Sequence, residues 1–376
     1  MTKKTILVSL FLLIFSIIYA NGNSFIEGEP DSLTVDYISK TIKLDRELQK
    51  DEYYGNYAYL SEKGFLKMVN SFYNQRIELL KSYPTLNKDF IHIEENRILL
   101  KKLGLMESFE NMKRYITQDS SFKVSEDYPY VYNMIDLNNE LFIDKIEDYK
   151  FFVLDYYSEK ANIICDLDST KDIFLTFLRL LQNDTIKPPI KETVSYQYSI
   201  TYINSVDSLK SYYKLYSKIA QNRKYKNEIS TKYKKLIKIT KGKKSPDFKF
   251  VDINGNTVKL SDFKGKYVYI DIWATWCKPC LIEMKSLEKL KKSYPDIVYI
   301  SICKKDSKGR WEKFVKNENL DGIQLFAPNE DNDFFKSYLV KGIPRFILID
   351  KEGKILDSNA PYPSEKIINN ILKNLI

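Results

Sequence analysis

A change in hydrophobic spacing near residue 240 constrains the fold of this chain more than any other sequence feature. Before that point apolar residues recur every three or four positions, for example from 65 to 80, which predicts amphipathic helices. Beyond Gly242 and Pro246, short apolar runs alternate with helical stretches, a pattern typical of a sheet covered by helices. We therefore predict a mostly α-helical domain over 21–240 and an α/β domain over 241–376.

The helical part is predicted from spacing alone, and the sequence does not indicate its role. Helices are expected near 35–50, 92–116, 139–160 and 171–182, and a long helix at about 204–238 follows a break at Pro188-Pro189. Residues 210–244 hold 13 Lys or Arg and the single acid Glu228. These charges are spread around helical turns with tyrosines at core-like spacing. We therefore predict a solvated helix face and no nucleic-acid partner, with contact to an anionic surface or partner as the alternative.

The α/β part is predicted to begin with a hairpin, because Asn254-Gly255 separates two short apolar runs. Strands are predicted at 248–251, 257–260, 267–273, 297–303, 323–326, 345–350 and 354–357. Helices are predicted at 277–292, 309–316 and 333–339, and from residue 364. This order predicts a central sheet with helices on both faces.

The N-terminal 20 residues have the pattern of a secretory signal peptide. Lys3 and Lys4 precede an apolar run from Ile6 to Ala20, and polar residues follow it. The run is shorter than the roughly 20 apolar residues of a comfortable membrane span. We predict residues 1–20 as a signal peptide and expect an exported protein, in the periplasm or outside the cytoplasmic membrane. It would be soluble, without a stable membrane span, or anchored at the N-terminus if the signal is uncleaved.

Cys277 and Cys280 lie at the predicted start of a helix and are separated by two residues. Cysteines at this spacing can close a disulfide ring, and the first can be the more exposed nucleophile. The positive end of the helix dipole and the adjacent Lys278 are expected to lower the pKa of Cys277 below the roughly 8.5 of a free thiol. Pro279 fits the first helical turn, which needs no N–H from it. The pair is therefore a candidate redox centre, with half of a zinc site as the alternative.

The few histidines and cysteines argue against a metal site. The chain has one histidine, His92, far in sequence from the cysteine pair, and we predict a structural or surface role for it. Zinc at Cys277 and Cys280 would need two further ligands, and the α/β part adds only Cys303. We expect no metal, and no cofactor apart from a redox-active Cys277–Cys280 disulfide. Cys165 and Cys303 are predicted to be buried thiols, with a bridge between domains as the alternative.

Further short motifs accompany the cysteine pair over residues 244–376. They are Ser245-Pro246-Asp247-Phe248, Asn254-Gly255, Leu260-Ser261-Asp262-Phe263-Lys264-Gly265-Lys266, Trp273-Ala274-Thr275-Trp276-Cys277-Lys278-Pro279-Cys280, Glu283, and Gly342-Ile343-Pro344 before Phe346-Ile347-Leu348-Ile349-Asp350. Together they resemble the TlpA/ResA-like family of exported thioredoxin-fold thiol-disulfide oxidoreductases. The resemblance covers about the last third of the chain and implies a thioredoxin-like α/β domain with a central mixed sheet.

The resemblance also implies roles for individual residues. Cys277 would attack a partner disulfide, and Cys280 would resolve the mixed disulfide. Pro344 matches the family's cis-proline, which faces the cysteines and leaves the backbone of Ile343 free to pair with an extended substrate segment. Trp276 would shield the disulfide and contact a partner.

Two carboxylates are candidates for accepting the proton of Cys280. Asp271 precedes the pair on a predicted buried strand and matches the buried acid of thioredoxin, a position where many ResA-like members carry Asn. Glu283 lies about one helical turn after Cys280 and matches an active-site Glu of the family. A carboxyl group buried beside a thiol has a raised pKa and can accept its proton. The alternative for each is a solvated or salt-bridged acid.

We therefore expect a reductase of disulfides in exported proteins that is supplied by an upstream thiol electron donor. Ile343 and Asp271 resemble reducing thioredoxins, which favours this direction. Two alternatives remain open: a disulfide oxidase or isomerase using the same residues, and a partner-binding protein in which the thioredoxin domain is auxiliary.

Overall fold

A computed structural model of the chain describes residues 31–50, 57–205, 208–328 and 332–375. The signal peptide predicted at 1–20 lies outside the described residues. Among the helices that are described, none is both long enough and apolar enough to cross a membrane.

Helices make up most of the chain before residue 240, as predicted. The described helices there are α1 (Ser32–Lys50), α2 (Glu62–Lys81), α3 (Lys88–Thr117), α4 (Glu140–Lys145), α5 (Glu147–Leu167), α6 (Ile173–Asn183), α7 (Pro188–Tyr202), α8 (Leu209–Ile219) and α9 (Arg223–Leu236). Ser61 and Asp172 fix the starts of α2 and α6, because their side chains accept backbone N–H groups of the first turn. Aromatic rings fill much of the core, and those of Phe177 and Tyr198 stack with centroids 3.6 Å apart.

The single helix predicted at 204–238 is wrong, because the chain turns and forms α8 and α9 instead. The carboxylate of Glu192 on α7 accepts the N–H groups of Gln221 and Asn222, which fixes the turn between the two helices. The Pro188-Pro189 pair, predicted as a break, begins α7. Proline is tolerated there because the first helical turn needs no N–H donor.

The second part of the chain forms, within its described residues, a mixed seven-stranded sheet. Its strands are β1 (Lys249–Asp252), β2 (Thr257–Lys259), β3 (Val268–Trp273), β4 (Val298–Cys303), β5 (Ile323–Phe326), β6 (Arg345–Ile349) and β7 (Ile355–Asp357). Their order is 2-1-5-4-3-6-7, with β4 parallel to both β3 and β5 and the other pairs antiparallel. The helices of this part are α10 (Lys278–Ser293), α11 (Lys308–Asn317), α12 (Asp333–Ser337) and α13 (Lys366–Lys373). These elements agree with the predicted ones to within a few residues.

Helices cover both faces of the sheet, as predicted. On one face, Tyr269 of β3 packs with Leu287 of α10 and Ile368 of α13 in a buried cluster. On the other face, the ring centroids of Phe250 on β1 and Phe334 on α12 lie 6.3 Å apart. All six residues of β3 are buried. Because this buried central strand comes shortly before α10 in the chain, it fixes the position at which α10 begins.

The described chain groups into two compact units whose boundary differs from the predicted one at 240. The first unit contains the residues up to Ile200 and Leu215–Asn222, and the second contains Thr201–Lys214 and the residues from Arg223 onwards. Helix α9 thus belongs to the unit that holds the sheet. One reason for this grouping is that the segment after α9 is bonded to the sheet. The Gly242 N–H donates to Ile355 O on β7, and the Ile355 N–H donates to Lys243 O.

Candidate active site

The cysteine pair lies where β3 ends and α10 begins. Cys277 is the N-cap of α10, and its sulfur accepts the N–H of Cys280 at 3.2 Å. Pro279 occupies the first turn, where no N–H donor is needed. The two sulfurs form a disulfide, with Cα atoms 5.2 Å apart, and the two residues are only 4% and 2% exposed. The helix N-terminus favours negative charge, so it stabilises a Cys277 thiolate once the disulfide is reduced.

An apolar cluster surrounds the disulfide on its buried side. Its other buried members are Trp273, Ala274, Cys303, Trp311, Val315 and Phe326. Ile343 packs against this cluster, and the Ile343–Pro344 peptide bond is cis. The fold thus brings the Ile343-Pro344 step and the cysteine pair together, although they are far apart in sequence.

Trp276 is the exposed aromatic residue beside the disulfide. Its side chain is about half exposed, whereas Trp273 and Trp311 are fully buried. The indole Nε1–H of Trp276 donates to the carbonyl oxygen of Lys305 at 2.8 Å, which fixes the ring next to Cys277. An anchored, half-exposed ring at this position can contact a partner protein.

Asp271 lies on the face of the sheet that α10 covers. It is two residues before Trp273 on β3, so the two side chains share that face. Burial raises the pKa of Asp271 to about 7, while the positive charge of Lys291 and a hydrogen bond from Ser301 lower it and the charge of Glu283 raises it. A carboxyl group with this pKa can both accept and release a proton near neutral pH.

Glu283 is held by a contact that its position in the sequence does not reveal. Its carboxylate accepts the N–H of Ser364 at 3.0 Å and the hydroxyl of Ser364 at 2.7 Å. Ser364 lies in the segment before α13, so this pair joins α10 to α13. The contact gives Glu283 a structural role that the sequence did not predict, and its role as a proton acceptor stays a prediction.

Asp306 is a residue of this site that the sequence did not single out. Its carboxylate accepts the N–H and the hydroxyl of Thr275, two residues before Cys277, at 2.8 and 2.6 Å. One signal could have found it: Asp306 follows β4, which is parallel to β3, and the carboxyl ends of parallel strands meet at the same edge of a sheet.

Of the remaining cysteines and the histidine, Cys303 belongs to the apolar cluster around the disulfide, whereas Cys165 and His92 lie on helices of the first part of the chain. Cys303 and Cys165 are both free thiols, and Cys303 is buried as predicted. The prediction of a buried thiol is wrong for Cys165, which lies partly exposed on a helix of the first part of the chain. Cys303 is fully buried, and burial together with the charge of Asp306 raises its pKa. Cys165 is half-buried and its sulfur contacts the hydroxyl of Thr176 at 3.7 Å. His92 is exposed. Within the described ranges, no three His, Cys, Asp or Glu side chains are arranged to hold a metal ion.

The α/β part of the chain matches known proteins. The redoxin family model matches residues 240–375. The chain is 30% identical over 145 residues to thiol-disulfide oxidoreductase ResA of Bacillus cereus, a match that covers 38% of this chain and 83% of ResA. It is 36% identical over 144 residues to the thioredoxin-like protein YneN of Bacillus subtilis, which covers 38% of this chain and 74% of YneN. The solved thioredoxin domain of a thiol-disulfide oxidoreductase from Bacteroides vulgatus is 28% identical, with a TM-score of 0.34, and the match covers 36% of this chain and 99% of that chain.

The family match spans the thioredoxin-like part of the chain and includes Cys277, Cys280 and Pro344. The chain therefore belongs to the redoxin family and is a thiol-disulfide oxidoreductase similar to ResA and YneN.

Proposed function

We propose that this chain reduces disulfides of exported proteins outside the cytoplasm, with Cys277 and Cys280 as the redox centre. The observation that carries the proposal is the disulfide at the N-terminus of α10, whose first sulfur is the N-cap of the helix. This arrangement stabilises the thiolate that attacks a disulfide. The proposed location rests on the signal-like sequence of residues 1–20.

The reduced dithiol would transfer two electrons in two exchange steps. The Cys277 thiolate attacks one sulfur of the partner disulfide, and the S–S bond of the partner breaks to release a thiolate that takes up a proton. Cys280 then loses its proton and attacks the Cys277 sulfur, which breaks the mixed disulfide and releases the second partner thiolate. The partner leaves with two thiols, and the Cys277–Cys280 disulfide is restored. An upstream thiol donor returns two electrons, and no other cofactor takes part in this scheme.

Asp271 is the proposed proton acceptor for Cys280. It is buried on the sheet face covered by α10, and its pKa of about 7 lets it take a proton from the thiol at neutral pH. Glu283 is the second candidate. Its bonds to Ser364 hold the carboxylate in a structural contact, so Asp271 is preferred.

The partner is proposed to bind across Trp276 and the Ile343-Pro344 step. Trp276 offers an exposed ring beside the disulfide, and Ile343 packs against the cluster that contains both cysteines. An extended segment of the partner would pair with the backbone of Ile343. Ile343 and Asp271 also resemble their counterparts in reducing thioredoxins, which favours electron flow toward the partner.

Two measurements test this function. Equilibration with a dithiol couple of known potential is expected to give a value near that of thioredoxin, about −270 mV, whereas a value near that of DsbA, about −120 mV, would support the oxidase alternative. A Cys280→Ala variant is expected to accumulate mixed disulfides with exported proteins, because the resolving thiol is absent. The matched control is Cys277→Ala with Cys280→Ala, which retains Cys303 and should trap nothing. An absence of trapped partners would favour the auxiliary role.

A further inference from the structure

The turn that precedes Cys277 is held by one loop of the second unit. Residues 274 to 277 form a turn closed by the N–H of Cys277, which donates to the carbonyl of Ala274 at 3.1 Å. Its two central residues are Thr275 and Trp276. Both are bonded to the segment between β4 and α11, so the geometry of the turn depends on that segment as well as on its own residues.

Asp306 is the centre of this attachment. Besides its two bonds to Thr275, its carboxylate accepts the N–H of Ser307 at 2.8 Å and lies 3.6 Å from the guanidinium of Arg310. The side chain of Asp306 is completely buried, whereas that of Arg310 is 61% exposed. A carboxylate removed from water is costly unless donors surround it, so these contacts hold Asp306 in one orientation.

The residue before Asp306 completes the attachment. Lys305 supplies the carbonyl that accepts the indole N–H of Trp276, and its backbone has a φ of +59°, in the left-handed region that residues other than glycine rarely adopt. This conformation presents the Lys305 carbonyl and the Asp306 carboxylate toward the same turn. The two residues before Cys277 are therefore fixed by two neighbouring residues of the loop.

We propose that Asp306 is a positioning residue for thiol–disulfide exchange, which orients the Cys277 sulfur and the Trp276 ring through its bonds to Thr275. The inference rests on the proposed role of Cys277 as the attacking sulfur. Asp306 touches neither the partner nor the reacting sulfurs in this scheme. It acts by holding the turn in the geometry from which Cys277 attacks.

The experiment compares variants of the full chain in their reaction, after reduction, with oxidised glutathione. Asp306→Ala removes every contact, and we expect the second-order rate constant to fall about tenfold, because small misplacements of a reacting group are costly. Asp306→Asn keeps one acceptor oxygen, so its rate constant should lie between those of Asp306→Ala and the unmodified chain. Thr275→Val loses only the hydroxyl contact, and the double variant Asp306→Ala with Thr275→Val should lose less than the product of the two single effects.

A second readout separates positioning from a loss of folding. Trp276 is the half-exposed tryptophan and the other two are fully buried, so acrylamide quenching of native fluorescence reports on Trp276. Quenching should rise in the Asp306 variants, since the anchored ring is released. The matched control is Asp350→Asn, because Asp350 also accepts two loop N–H groups but lies beyond the far end of β6. The control should change neither readout.

Several outcomes would overturn the inference. If Asp306→Asn and Asp306→Ala lower only the melting temperature, while the exchange rate and quenching match those of Asp350→Asn, Asp306 is merely structural. If Asp306→Ala does not fold, Asp306→Asn and Thr275→Val decide by the same criteria. Glutathione exchange does not depend on the direction of electron flow in the cell. A reduction potential like that of an oxidase would therefore reject the reductase proposal and leave this inference standing.

Discussion

Asp271 places a carboxyl group inside the sheet domain, where the charged form is poorly solvated. Burial is the main cause of its pKa of about 7, and the Ser301 hydrogen bond and the charge of Lys291 only partly oppose it. The protonated form is therefore favoured in the folded protein over a pH range in which an exposed Asp is ionised. The raised pKa that lets Asp271 accept a proton therefore lowers the free energy of unfolding at neutral pH.

The Asp271→Asn variant tests that relation through pH-dependent unfolding. The folded-state pKa lies above the ordinary value of 3.8, so the native protein binds the proton more tightly than the unfolded chain does. Stability is therefore expected to fall as the pH rises from about 4 to about 7 and to change little above that. Asp271→Asn should remove this loss, with a gain of up to roughly 4 kcal/mol at about pH 8 and little gain at about pH 4. Equal gains at both pH values, measured by thermal unfolding, would contradict the assignment.

The matched control for Asp271 is Ser301→Ala. Removing the hydrogen bond that lowers the pKa should move the pH midpoint of mixed-disulfide resolution upward, whereas Asp271→Asn should abolish that midpoint. If neither variant alters the pH dependence of resolution, Asp271 is not the proton acceptor.

At the scale of elements, the contact between Glu283 and Ser364 ties the redox helix α10 to the segment before α13. Two hydrogen bonds to one carboxylate make it a specific attachment. Helix α13 packs through Ile368 in the same buried cluster as Leu287 of α10, so the polar bond lies beside an apolar contact.

Glu283→Gln and Ser364→Ala should each lower the free energy of unfolding by about 1 kcal/mol, and the double variant should cost less than the sum. Denaturant unfolding measures this coupling. The exchange rates of the two variants test whether Glu283 has a further role. If Glu283 serves only this attachment, both variants keep the exchange rate of the unmodified chain. Slower exchange in Glu283→Gln alone would show that its carboxylate also takes part in exchange, either by handling a proton itself or through its effect on the pKa of Asp271.

The elements differ in how well their sequences predicted them. Apolar runs and turn residues such as Asn254-Gly255 predicted each strand of the sheet, because local spacing decides which residues can lie in a buried strand. Spacing also placed Glu283 near Cys280. It could not reveal the contact with Ser364, because that contact forms between segments that only the tertiary fold brings together. For Asp306, the sequence offered a position after a predicted strand but no indication that Thr275 is its partner. The turn between α8 and α9 was missed for the same reason, since its N–H groups are bonded to Glu192, which is distant in sequence.

At the scale of the whole molecule, the named contacts of the redox site all lie within the α/β part of the chain. The contact with the largest sequence separation joins Glu283 to Ser364, and the described members of the cysteine cluster all belong to the sheet unit. The family model covers this same region and nothing before residue 240. The residues of these named contacts are therefore all present in a fragment that begins at residue 240.

A fragment comprising residues 240–376 should fold and exchange with oxidised glutathione within about threefold of the full chain, because its buried cluster and helix start are complete. Circular dichroism and the exchange rate test this expectation. A folded fragment with a rate more than about tenfold lower would show that residues before 240, α9 of the sheet unit among them, complete the site. Asp350→Asn in the fragment controls for general loosening of the smaller protein.

The low exposure of Cys277 and Cys280 has a consequence for how electrons are conserved. With 4% and 2% of their surfaces accessible in the disulfide form, the two cysteines offer a dissolved oxidant little surface to approach, so small disulfides such as oxidised glutathione should react slowly. We expect the dithiol to transfer its electrons mainly to a protein that binds against Trp276 and places one of its own sulfurs next to Cys277. Such shielding would allow the dithiol to stay reduced in an oxidising compartment, because electrons are transferred only when a fitting partner binds.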